Sequence, residues 1–233
     1  MPTNIQADLA QGDTQALLRL LQLASPALPV GAFSYSEGLE TLTYQGHLKT
    51  VADLEHWLIQ ELQYGAVRLE AAIALRAHRY AHNPAQLRYW NQWLAAARET
   101  DELRQQSEQM GRALARLLAS LHPELEPTLT ECGSPCHFAI AFGLAAAHWE
   151  IPEASMVLGY LQSWATNLVN AAVKLVPLGQ TEGQSLLLAL SPTLANAADT
   201  ILTLEDPQLA SSGWGVALAS MQHETLYTRL FRS

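Results

Sequence analysis

Cys132, Cys136 and His137 are the residues of this sequence whose types and spacing come nearest to a reactive or metal-binding group. Thiolate and imidazole suit a borderline divalent metal. A thiol in the first turn of a helix opening at Pro135 would also have a lowered pKa. Three donors on one loop do not complete a closed tetrahedral site, however, and Cys-x3-Cys-His is not a zinc-finger spacing. Two chemical readings stay open beside the plain one of a helix-start histidine bonding to nearby backbone. One is a thiol enzyme with Cys136 as nucleophile beside His137; the other is a carrier holding a metal ion through all three. His78 and His82 form an i, i+4 pair without the H-E-x-x-H motif and read as a surface pair, while His47, His56, His122, His148 and His223 are scattered. There is no Gly-x-Ser-x-Gly elbow, no phosphate loop and no dinucleotide fingerprint. A nucleotide would therefore belong to a partner.

Two other stretches suggest recognition. In "SPALPVGAFSYSEGLE", residues 25 to 40, Pro26 and Pro29 force extended backbone and Gly31 suggests a positive φ or a close approach. Ser34 to Glu37 has the S-x-x-E spacing of a capping box, which predicts a helix from about Tyr35 to Gly46 with Gly38 in its first turns. The stretch is either a turn with its cap or a rigid surface loop that presents Phe33 and Tyr35. The chain closes on Tyr227, Arg229, Leu230, Phe231 and Arg232, of which the tyrosine, phenylalanine and arginines are types enriched at interfaces. That tail either docks on its own core or orders on a partner, and the second is the sharper expectation.

The elements that must position these residues are helices. Apolar residues recur at intervals of three and four almost throughout, so the fold is all-α, with about eight to ten helices in one domain spanning residues 1–233. A flexible segment is expected at about 1–13 and a tail at about 223–233. Thr50, Pro84 and Thr100 mark helix starts, residues 122–135 read as a loop, and Ser134-Pro135 reads as the opening of the next helix. From Pro152 onward, Leu161, Trp164, Leu168, Ala172 and Leu175 form a core stripe, and Ser163, Asn167, Asn170 and Lys174 form a polar one. With 13 Lys and Arg against 22 Asp and Glu, the net charge of −9 disfavours nucleic acid. The longest apolar run, "FAIAFGLAAA", is well short of the roughly 18 residues of a membrane span, so no membrane partner is expected. The start of the chain lacks a secretory pattern, and two cysteines fit a reducing cytoplasm.

"LLQLASPALPVGAFSYSEGLE" resembles the N-terminal signature of the UreF family of urease accessory proteins. "ELRQQSEQMGR" (102–112), "AAVKLVPLGQTEGQ" (171–184) and "HETLYTRLFRS" (223–233) are similar to its other signatures, in the same order. The resemblance implies an all-helical, non-catalytic homodimer without a cofactor. It also implies binding to UreD, also called UreH, and recruitment of the GTPase UreG, so that nickel reaches the urease apoprotein. It singles out Gly31, Phe33, Ser34, Tyr35 and Glu37, then Gln180, Thr181 and Glu182, then Tyr227, Arg229, Phe231 and Arg232 as partner-binding residues. Phe33 stands where the family often has tyrosine, so a planar contact between its ring and Arg229 is expected in place of a hydroxyl bond. On the family's chemistry, the metal reading of Cys132, Cys136 and His137 becomes that of a direct nickel carrier.

Overall fold

Helices follow one another closely, and most of the described starts carry a cap or a proline. The computed structural model describes the backbone from Gln11 and the side chains from Thr14 to Ser233; the segment expected to be flexible lies outside the fully described residues. Helix α1 spans Gln11–Leu23 and α2 spans Leu39–Tyr44. In α3, Val51–Tyr64, the Thr50 hydroxyl accepts from Asp53 N–H while the Asp53 carboxylate accepts from Thr50 N–H, closing a reciprocal cap. Gly65 separates it from α4, Ala66–Arg79. Asn83 caps α5, Pro84–Ala97, with Pro84 where its missing N–H costs nothing. Thr100 caps α6, Asp101–Leu121.

The stretch from His122 to Pro135 is not the loop its three prolines suggest. It holds a 3-10 turn, Pro123–Leu125, and α7, Glu126–Glu131. Pro123 and Pro127 fall in first turns, where no N–H is required, and Leu125 and Leu129 are buried. Nor does Pro135 open the next helix. That helix, α8, runs Phe138–His148 from an extended His137, whose N–H donates to the Asn91 side-chain Oδ1 at 2.9 Å. The remaining helices are α9 (Glu153–Leu175), α10 (Gln180–Ala189), α11 (Ser191–Leu202) and α12 (Trp214–His223). Among the described residues there are thus twelve α-helices and no strand. The number exceeds the sequence expectation in part because the six-residue α7 is too short to show a repeating apolar period and falls in a stretch read as a loop.

The core centres on α8, buried along its whole length from Ala139 to Ala146. Its Gly143 lies so close to α4 that a Cβ there would be 2.1 Å from the Ala74 carbonyl. The stripe on α9 is core, with Leu161, Trp164, Leu168 and Ala172 all buried. Within the core, Arg98 pairs with Glu70 at 2.5 Å, and Tyr160 donates to the same carboxylate at 3.0 Å. No single described helix is long and apolar enough to cross a bilayer. Only α10 and α11 together approach that, across a 44° bend, and Leu186, Leu194 and Ile201 bury their apolar faces here.

Glu61 is buried against Gly65 and Gly213. Burial, reinforced by the Glu37 and Glu99 carboxylates, raises its pKa from 4.5 to about 8. Its folded pKa lies above the unfolded one, so its contribution to stability is full below about pH 4.5 and is lost as pH rises through about 8. Glu61→Gln should remove that dependence. Thermal melts of the parent and the variant should diverge steadily between those two pH values, with the variant gaining; parallel curves would mean the carboxyl is solvated.

Candidate functional site

The backbone of the 25–40 stretch is set by three left-handed residues. Gly31, at φ 79°, opens a 3-10 turn over Ala32–Ser34, and Glu37 and Gly38, at φ 51° and 83°, aim the chain into α2. Gly38 is the N-cap of α2, and a Cβ on it would meet the Ala219 Cβ of α12 at 2.7 Å. The expected capping box between Ser34 and Glu37 does not form, and the helix starts at Leu39 rather than near Tyr35. The reason is that Glu37 turns inward: its carboxylate accepts from Gln106 Nε2 at 2.7 Å and Trp164 Nε1 at 2.9 Å. Two donors shielded from water hold a carboxylate more firmly than a solvated cap would. Tyr35 is extended and buried, its hydroxyl donating to Gln109 at 2.9 Å, while Phe33 points outward and is 69% exposed.

The tail is docked on this loop. Arg232 N–H donates to the Ser34 carbonyl at 2.9 Å, and the Ser233 carbonyl accepts from both Ser36 N–H and Ser36 Oγ–H at 2.7 Å. The Glu40 carboxylate accepts from the N–H groups of Leu230 and Phe231 at 2.6 and 2.9 Å. It also lies 3.2 Å from His223 Nε2, whose other ring nitrogen is 2.8 Å from Glu102. Phe231 is buried beneath Lys174, whose ammonium stands 5.5 Å from the ring centre. The polar stripe on α9 is accordingly not simply solvated: Lys174 covers Phe231, and Asn167 reaches the Tyr35 carbonyl at 3.5 Å.

Arg229 does not stack on Phe33. It pairs with Glu102 at 3.0 Å, a carboxylate only 11% exposed and a stronger partner for a guanidinium than a solvated ring. All four stretches that carry the family resemblance therefore contribute to one surface, the 171–184 stretch through Lys174 alone, and that surface presents Phe33, Tyr227, Arg229, Leu230 and Arg232 outward. Gln180, Thr181 and Glu182 stand apart from it, exposed in the first turn of α10, where Glu182 accepts from Gly179 N–H at 2.8 Å. The supporting residues Glu40, Glu102, Gln106 and Gln109 escaped the sequence reading. The helical spacing of the last three along α6 is the signal that could have found them.

The cysteines lie in the core. Cys132 and Cys136 are buried with sulfurs 3.5 Å apart; the hydrogen bond between them lowers the Cys132 pKa and raises that of Cys136 well above the usual range. The expectation of a low Cys136 pKa is thus reversed, since Pro135 starts no helix and the thiol is desolvated. His137 faces Ser107 at 3.1 Å instead of a sulfur, and burial lowers its pKa to about 4. The three side chains do not converge on one point as ligands. The loop–tail surface, by contrast, offers rings, guanidiniums and amides suited to recognition.

The family model described as UreF matches residues 48–191. A urease accessory protein UreF from Nostoc is 56% identical over 218 residues, covering 93% of this chain and 95% of the relative. The Synechocystis protein of the same name is 50% identical over 94% of this chain and 98% of its own length. That from Chromohalobacter salexigens is 41% identical over 97% and 98%. At such identity over nearly the full length, the chain belongs to the UreF family of urease accessory proteins.

Proposed function

We propose that the chain is a non-catalytic scaffold of urease maturation. It acts as a homodimer that, with UreD (UreH), recruits the GTPase UreG to apo-urease for nickel insertion in the cytoplasm. The observation that carries this reading is the composite surface of loop and tail, in which exposed Phe33, Tyr227 and Leu230 sit beside two arginines on a backbone held by buried hydrogen bonds. Rigid aromatic and arginine side chains over a preorganised support are what a docking site requires. The apolar residues Leu17, Leu18 and Leu21, exposed along α1, offer a face that a second copy can cover. The alternative of a thiol enzyme gains nothing from a Cys136 whose pKa the Cys132 hydrogen bond and burial push well above the usual thiol range.

Co-purification of the chain with UreD and UreG, with and without nucleotide, tests the proposal. Phe33→Ala and Arg229→Ala should each leave the melting temperature nearly unchanged, since one side chain is solvated and the other makes an exposed ion pair of about 0–1 kcal/mol. Both should lower UreG recovery several-fold, and Arg229→Lys should restore it only in part because an ammonium cannot replace a guanidinium's planar fork. Parent-like recovery with both alanine variants would place the docking surface elsewhere.

A further inference from the structure

Away from the cysteines, three donor atoms converge where the C-terminal ends of α6 and α8 meet. His122 closes α6, Glu124 lies in the 3-10 turn that follows, and His148 is the last residue of α8. His122 Nδ1 is 3.1 Å from His148 Nε2, and Glu124 Oε1 is 3.4 Å from each of these nitrogens. Points so spaced lie about 1.9 Å from a common centre, so an ion at the roughly 2.0–2.2 Å of imidazole and carboxylate ligands can touch all three without the donors moving apart. We propose that His122, Glu124 and His148 bind a divalent late first-row transition-metal ion, with water completing its coordination. The inference does not depend on the scaffold role proposed above.

Two imidazoles and one carboxylate suit zinc, nickel or copper better than magnesium or calcium, which take oxygen ligands. Helix ends hold both histidines, and side-chain exposures of 29%, 61% and 26% leave one side open to solvent. In the unloaded site Trp149 Nε1–H donates to His122 Nε2 at 2.9 Å, which leaves the ring proton on Nδ1, shared with His148. An ion binding at Nδ1 displaces that proton. The neutral ring then carries its one proton on Nε2, which breaks the Trp149 bond, so loading is coupled to a buried indole.

Equilibrium dialysis of the full chain against zinc chloride and nickel chloride near neutral pH should find one ion per chain. Glu124→Gln, a change at an exposed position, and His148→Gln should each weaken binding by at least the 10–100-fold, roughly, that loss of an outer-shell partner costs; His82→Gln should not. Nickel should perturb tryptophan fluorescence in the parent but not in Trp149→Phe, which should still bind the ion. The proposal is overturned if no ion binds, if Glu124→Gln and His148→Gln bind as the parent does, or if binding is lost in Cys132→Ser instead.

Discussion

Gly111→Ala should destabilise the protein by about 2–4 kcal/mol and lower its melting temperature by about 5–15 °C. This is the reverse of the ordinary helix effect, in which alanine is favoured over glycine by about 1 kcal/mol. Gly111 lies in α6, inside the "ELRQQSEQMGR" stretch, and faces the turn that leads into α8. A Cβ there would stand 2.0 Å from the Cys136 carbonyl oxygen and 2.6 Å from both the His137 carbonyl carbon and the Phe138 nitrogen. All three are backbone atoms, so no side-chain rotation relieves the overlap and α6 must withdraw. Withdrawal strains the Ser107–His137 contact and the turn that Asn91 holds through Pro135 and His137. A thermal melt decides it: a variant as stable as the parent, or more so, would mean that α6 is not packed on that turn.

Glu40→Ala should release the tail. Its carboxylate holds Leu230 and Phe231 by their backbone N–H groups and meets the fully buried His223. Removing this carboxylate costs about 1–3 kcal/mol, because the buried His223 loses a partner outright while water replaces the amide bonds only in part. Trypsin cleavage after Arg229 should accelerate at least tenfold, since local opening then needs far less free energy. Glu40→Gln, which keeps a carbonyl oxygen, should fall between the two. Unchanged cleavage in Glu40→Ala would show that Phe231 packing alone retains the tail.

What the sequence made legible was largely local. The starts marked by Thr50, Pro84 and Thr100 are set within one turn, so their residue types announce them, and the α9 stripe declares its buried face by spacing alone. The left-handed φ at Gly31 was likewise readable from one residue. The failures share a different cause. Ser34-x-x-Glu37 fits a capping box locally, but Gln106 and Trp164, 69 and 127 residues away, draw Glu37 inward. Arg229 and Phe33 both lie on the loop–tail surface, yet Glu102, whose position in space no local pattern reveals, decides where the guanidinium rests. The prolines at 123 and 127 read as loop markers because only the burial of Leu125 and Leu129 shows that they open short helices.

The burial of α8 on every side also orders the molecule in time. Its amides have no route to solvent short of separating α4 and α6, so their hydrogen exchange should report the global unfolding free energy. The tail amides of Leu230 and Phe231, bonded to a single carboxylate at the surface, open by local fluctuation. One deuterium time course thus yields two free energies, that of the whole fold and that of the docked tail. Their difference measures how independently the recognition surface can detach from a core that stays intact.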